Sequence, residues 1–228
     1  MKAALVGFGQ VAQMAHLPAL AEQGVEIVAV CEENPERLKA ARKRLPAARF
    51  YASLEVLLEN ETSVEFVDIA TPPYLHASQA LAALKRGKHI LCEKPLTLSL
   101  DELSTLEHAA ETSGKCLFTV NNWAYSPQWL TIQELVDSAA LGDVLHAQVQ
   151  ALRTKPAESA VPGDWRRQPA QAGGGILVDH GWHNLYLLYR LFKTTPKRVT
   201  VNLHAGPGGV DDEAALFMEF PAASALVH

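Results

Sequence analysis

The sequence predicts an α/β protein in two parts. A doubly wound parallel sheet is expected over residues 1–120, followed over 121–228 by an α+β domain on an open, mostly antiparallel sheet. Three observations lead there. Short apolar runs alternate with helix-like segments through the first half, the pattern of a parallel sheet covered on both faces. The chain opens with the strand-like Ala3-Ala4-Leu5-Val6, which runs straight into Gly7-Phe8-Gly9-Gln10-Val11-Ala12 and a helix-like stretch to about Gln23. From Asn121 the texture changes to one helix, a Gly142-Asp143 turn and alternating strands.

The opening turn has the spacing Gly-x-Gly-x-x-Ala. Between a strand and a helix, such a turn lets the backbone approach a pyrophosphate closely, and the helix N-terminus adds N–H donors and partial positive charge. A second strand, Val25–Val30, leads to Glu32, which lies 25 residues after Gly7 and is placed to accept hydrogen bonds from adenosine ribose hydroxyls. Turn, helix, strand and acid in that order predict a Rossmann-type dinucleotide site carried by Gly7, Phe8, Gly9, Gln10, Val11 and Glu32. The charge of Glu32 would repel a 2′-phosphate, so NAD is expected in preference to NADP. Arg37 and Arg42 read as a solvated face of the helix after Pro35.

The elements continue with a helix over Pro35–Arg44, a connection through Phe50-Tyr51, a helix at Ser53–Leu58 and a strand over Val64–Ala70. Thr71-Pro72-Pro73 interrupts the chain before a helix over His76–Arg86, which Gly87 caps. His89–Cys92 forms the next strand, up to Glu93-Lys94-Pro95. A helix over Ser99–Ser113 and a strand over Cys116–Val120 complete the first domain. In the second, a helix spans Gln128–Ala140 and a strand Val144–Arg153. A loop rich in Pro, Ala and Gly covers Lys155–Gly175, a helix Gly175–Phe192, and strands Arg198–His204 and Ala214–Phe220.

Composition narrows the function classes. The net charge of −5 is spread without a basic run, which argues against a nucleic-acid partner. No apolar stretch approaches the roughly 20 residues needed to span a bilayer, and no charged leader precedes the first strand, so a cytoplasmic location is expected. Cys31, Cys92 and Cys116 are odd in number and far apart, which fits reduced core thiols and neither a disulfide framework nor a cysteine zinc site.

Five motifs fall together in order: Gly7-Phe8-Gly9 followed by His16-Leu17-Pro18-Ala19-Leu20; Ala70-Thr71-Pro72-Pro73 with His76; Glu93-Lys94-Pro95; Trp165-Arg166; and Gly174-Gly175 with Asp179, Gly181 and His183. On these the chain resembles the Gfo/Idh/MocA family of glucose-fructose oxidoreductase and inositol dehydrogenase, over essentially its whole length. The resemblance implies a Rossmann domain paired with a C-terminal α/β domain. It also implies NAD- or NADP-dependent hydride transfer at a hydroxyl-bearing carbon of a sugar, cyclitol or related polyol, and a homo-oligomer formed through the C-terminal sheet.

Such chemistry needs a group to take the hydroxyl proton and donors that stabilise the oxygen as it becomes a carbonyl. Lys94, at the carboxyl end of a sheet strand, suits the second role. Asp179 and His183 lie four residues apart, on one face of a helix, and the resemblance assigns them substrate binding and proton transfer. The resemblance also implies a cis bond before Pro95 and places Thr71, Pro72, Pro73, His76 and Glu93 beside the cofactor. Trp123, Tyr125, Trp165, Arg166 and His180 complete the candidate substrate contacts, with Trp182 and Arg167 nearby; flat aromatic faces suit sugars, although core packing explains them equally well. Asp179, His180 and His183 also read as metal ligands, but no further ligand completes a zinc site, and none is expected.

Two departures stand out. Ala124 occupies a position where many relatives carry Arg, and the chain ends at Pro221–His228 inside what should be a continuing sheet, so the last strands are expected to be absent. Two other functions remain open: a non-catalytic NAD-binding sensor and an NAD-assisted glycoside hydrolase.

Overall fold

Alternate side chains of β1 (Lys2–Val6) feed two different cores, Ala4 and Val6 one of them, Ala3 and Leu5 the other. That is how a strand buried on both faces uses its pleat. The computed structural model describes residues 1–152, 165–206 and 209–228. They divide into two compact units, Met1–Val120 and Asn121–His228.

In the first unit β1 is joined by β2 (Glu26–Cys31), β3 (Arg49–Tyr51), β4 (Phe66–Ile69), β5 (His89–Cys92) and β6 (Leu117–Thr119). All pair in parallel, in the order β3-β2-β1-β4-β5-β6. One face is covered by a π-helical turn, Ala12–His16, by α1 (Leu17–Glu22) and by α2 (Pro35–Arg44), through Ala12, Leu17 and Ala41. The other is covered by α3 (Leu54–Asn60), α4 (Pro73–Lys85) and α5 (Leu100–Ser113), through Leu57, Leu84 and Leu106. The starts of α2, α3 and α5 are set by the side chains of Asn34, Ser53 and Ser99, each accepting a backbone N–H of the first turn.

Three expectations are corrected in this unit. Phe50 and Tyr51 belong to edge strand β3, which is tied down by Arg49 and Tyr51 hydrogen-bonding the buried Glu61. The helix expected from His76 begins at Pro73, because a proline at the first helical position lacks only an N–H that would have had no partner there. Cys116 is exposed, whereas Cys31 and Cys92 are buried thiols.

The second unit contains α6 (Pro127–Asp137), β7 (His146–Val149), α7 (Pro169–Ala172), α8 (Trp182–Phe192), β8 (Arg198–Ala205), β9 (Asp211–Glu219) and β10 (Ser224–Val227). Its sheet is mixed, in the order β7-β10-β9-β8. The β7–β10 pair is parallel and the other two are antiparallel. Leu188, Leu216, Met218, Phe220, Ala225 and Val227 form its core, with the rings of Phe192 and Phe220 4.3 Å apart. Part of Pro221–His228 is therefore an interior strand of four residues. The end of the strand expected to reach Arg153, and residues 155–164 of the expected loop, lie outside the described residues. Among the described residues no helix is long and apolar enough to cross a membrane.

Candidate functional site

Reversal of the strand order places a crevice at the carboxyl ends of β1 and β4, the topological switch point where open α/β sheets bind ligands. Two glycines shape it. Gly7 has φ +86°, and a Cβ there would lie 2.8 Å from the Ala70 carbonyl oxygen, so the turn after β1 is compatible only with glycine. Around the Cβ position of Gly9 nothing lies within 4 Å, which leaves the backbone open to a diphosphate at the start of the following helix. The crevice thus fits the diphosphate of a dinucleotide.

Glu32 is buried at the end of β2 and accepts the N–H of Phe8 at 2.7 Å and that of Asn34 at 2.8 Å. It thereby braces the glycine turn, with the Arg37 guanidinium 3.9 Å away. Arg37 is therefore not simply solvated, and Arg42 lies over the Phe50 ring at 4.4 Å. Phe8 points into the core, fully buried, and its backbone carbonyl accepts the Gln13 amide. Gln10 and Val11, by contrast, are exposed at the helix start.

The loops after β4 and β5 are tied together. The ring nitrogens of buried His76 lie 2.7 Å from the Pro95 carbonyl and 2.8 Å from that of Thr71, while the Thr71 hydroxyl donates to Gln79. Burial holds the His76 pKa below its ordinary value, so at neutral pH its ring proton serves one carbonyl at a time. Glu93 and Lys94 follow β5, both half-buried, and the Lys94–Pro95 peptide is cis.

Beneath them lies a cluster that the sequence motifs did not reveal. His16 sits with Nδ1 2.9 Å from the Asp68 carboxylate and Nε2 2.9 Å from that of Glu93. Burial alone would lower the His16 pKa, but the hydrogen bonds and charges of Asp68 and Glu93 outweigh it and push it up to about 10. Asp68 is raised by its burial; Glu93, whose burial acts upward, is brought below its ordinary value by His16. A histidine whose folded-state pKa is raised stabilises the fold fully below the unfolded value near 6.5, and the contribution is lost as pH rises toward 10. Wild-type protein is expected to lose several degrees of melting temperature between pH 7 and pH 10. His16→Gln, which carries no titrating ring, should start lower and lose less over the same range; equal slopes in calorimetry would refute the assignment.

In the second unit the Gly-rich segment opens a π-helical turn, Leu177–Gly181, that continues as α8. Asp211 at the start of β9 caps it, its two carboxylate oxygens accepting the N–H groups of Gly175 and Leu177 at 2.8 Å each. The π turn carries Asp179, 3.7 Å from the His180 ring and 4.0 Å from the Arg166 guanidinium. His183 lies in the first turn of α8, buried, with its ring stacked on Trp123 at 4.4 Å between centroids and 14° between planes. Its Nδ1 is 3.0 Å from the Tyr186 hydroxyl, which also accepts the Trp123 N–H at 3.1 Å. One face of Trp123 is thus given to His183. Trp182 donates its indole N–H to Asn121, Arg166 lies over the Trp165 ring, Tyr125 is exposed and Ala124 is buried.

His16 and Glu93 stood in the sequence motifs, but not as partners, and Asp68, Tyr186, Asn121 and Asp211 were not singled out. A carboxylate inside the apolar run of β4 was the one available signal, since a buried Asp requires a partner. Among the described residues no three His, Cys, Asp or Glu side chains are grouped so as to hold a metal ion.

Comparison with known proteins gives the same outline. Residues 1–121 match the profile described as an oxidoreductase family with an NAD-binding Rossmann fold, and residues 129–228 that of the GFO/IDH/MocA C-terminal domain. The chain is 30% identical over 205 residues to scyllo-inositol 2-dehydrogenase (NADP(+)) IolW of Bacillus subtilis strain 168, a match covering 90% of this chain and 55% of that one. An NAD-binding protein from Listeria innocua superposes with a TM-score of 0.85 at 30% identity, over 99% of this chain and 65% of that one. Levoglucosan dehydrogenase, solved with NADH and levoglucosan, gives 0.87 at 25% identity, over 100% of this chain and 66% of that one. The chain thus spans 55–66% of the length of these relatives.

Proposed function

The chain belongs to the GFO/IDH/MocA oxidoreductase family, and on that footing we propose that it is an NAD-dependent dehydrogenase or reductase acting on a hydroxyl-bearing carbon of a sugar, cyclitol or related polyol. The observation that carries the reading is the glycine cradle at the switch point, with Lys94 at the carboxyl end of β5 in the same sheet. NAD, when bound, supplies a hydride acceptor. The ammonium of Lys94 donates a hydrogen bond to the reacting oxygen and stabilises negative charge developing there. His183 takes the hydroxyl proton. With its Nδ1–H given to the Tyr186 oxygen, Nε2 is the basic nitrogen, and stacking on Trp123 fixes the ring plane. Asp179 accepts a neighbouring hydroxyl of the substrate.

Glu32 carries the preference for NAD. Its carboxylate suits ribose hydroxyls and repels a 2′-phosphate. Titration with NADH and NADPH, followed by energy transfer from tryptophan, is expected to give tighter binding of NADH. Glu32→Ala should weaken NADH binding roughly tenfold, about 1.4 kcal/mol, and leave NADPH binding nearly unchanged. A screen with scyllo-inositol and levoglucosan, compounds handled by the relatives above, then tests turnover through net NADH formation. No binding of either cofactor would refute the dinucleotide reading; binding without turnover on any polyol would favour a sensor.

A further inference from the structure

Neither the cofactor cradle nor the proton chemistry above uses His16, yet its ring is the most heavily engaged in the first unit. We propose that His16 is a positioning residue: its ring clamps the Glu93 carboxylate to the buried floor formed by Asp68, and Glu93 in turn holds the backbone at Lys94.

A carboxylate oxygen only accepts hydrogen bonds. Both ring nitrogens of His16 stand 2.9 Å from such oxygens, so the three groups together must hold two protons, and the cluster carries a net charge of −1. Asp68 is fully buried in β4, between the neighbouring strands β1 and β5, and cannot shift without disturbing the sheet. On the other side Glu93 is held at both oxygens: Oε1 accepts from His16 at 2.9 Å, and Oε2 accepts the Lys94 N–H at 3.1 Å. Pro95 is fixed independently through its carbonyl and His76. Lys94 therefore sits between two anchored neighbours, and the His16 clamp is the charged one.

The π turn explains how His16 arrives there. An α-helix advances about 100° per residue, so the extra residue in a π turn rotates the downstream residues by about that angle relative to a regular helix. Ala12–His16 is such a turn, and it ends at the residue whose ring meets β4 and the loop after β5.

The role rests on the reading that the crevice takes NAD and that Lys94 serves the reaction. Its test therefore begins with cofactor binding, which displacement of the main chain after β5 at the crevice would weaken even though loss of the Lys94 ammonium alone would not. The NADH dissociation constant is measured between pH 6 and pH 9 for wild type, His16→Gln, and the double variant His16→Gln/Glu93→Gln. Wild type should be flat over this range. In His16→Gln the neutral amide leaves the two carboxylates without the positive charge of the doubly protonated ring, so binding should weaken about tenfold and become pH-dependent as an uncompensated carboxyl group takes up a proton. In the double variant one amide can donate to the other while the amide oxygen introduced at position 93 still accepts the Lys94 N–H, so most of the affinity lost in His16→Gln should return. A purely packing role would not produce that recovery. Equal affinity and an equally flat profile in His16→Gln would overturn the proposal, as would a double variant weaker than the single. If His16→Gln does not fold, nitrogen NMR of histidine-labelled wild type decides the matter. Both His16 ring nitrogens protonated at pH 8 supports the clamp, and an unprotonated Nε2 overturns it. Failure of wild type itself to bind NADH would remove the cofactor reading and the positioning role together, a result distinct from a wild type that binds and a variant that binds equally well.

Discussion

Lys94→Met is expected to lower turnover of any polyol substrate by about 10²- to 10³-fold while changing the NADH dissociation constant by less than about threefold. Methionine keeps much of the length and apolar bulk of the lysine stem and removes the ammonium, so the substitution isolates the charge. A preorganised donor to developing oxyanion charge is worth roughly 10²–10³ in rate. Because Lys94 is half-buried and Glu93 holds its backbone N–H, the main chain should stay in place when the side chain changes. Steady-state kinetics beside cofactor titration separates the outcomes. Unchanged turnover removes Lys94 from the reaction, and a parallel loss of NADH binding makes it a cofactor contact.

The second large effect is expected from Gly175→Ala. A Cβ at this position would lie 1.9 Å from the carbonyl oxygen and 2.6 Å from the amide nitrogen of Asp211, both main-chain atoms with no rotamer to relieve the clash. The helix start has to separate from β9, which also breaks the two hydrogen bonds from the Gly175 and Leu177 N–H groups to the Asp211 carboxylate. A charged cap is worth about 1–2 kcal/mol and backbone displacement adds to it, so destabilisation of the second unit by about 3 kcal/mol is expected. Asp179 and His183 lie four and eight residues further on, so turnover should fall with stability. NADH binding, carried by the first unit, should survive. A melting temperature and activity equal to wild type would show that the cap is dispensable.

Both substitutions fall in motifs that were readable in the sequence, and the reason is physical. The strands of the first unit are apolar runs bounded by turn residues, and asparagine or serine caps mark several helix starts. Gly7 and Gly175 sit where local geometry tolerates nothing larger. What was not readable depends on partners distant along the chain. His16 meets Asp68 across 52 residues and Glu93 across 77, and no local spacing encodes either contact. Tyr186 lies only three residues from His183, yet its other hydrogen-bond partner, the Trp123 N–H, is 63 residues away. The strands that escaped notice, β3 and β10, have three and four residues. The π turns were hidden because one extra residue in a helix changes its phase without changing its composition.

The place of β10 bears on how the chain is made. It lies between β7 and β9 and pairs with a strand 78 residues earlier, so the second sheet has a gap at its middle until residues 224–227 exist. During synthesis the first unit can close as soon as β6 has emerged, whereas β7 and the β8–β9 pair must wait with unpaired edges facing solvent. A ribosome pausing before residue 224 would thus expose a folded first unit tethered to a sheet whose middle strand is missing.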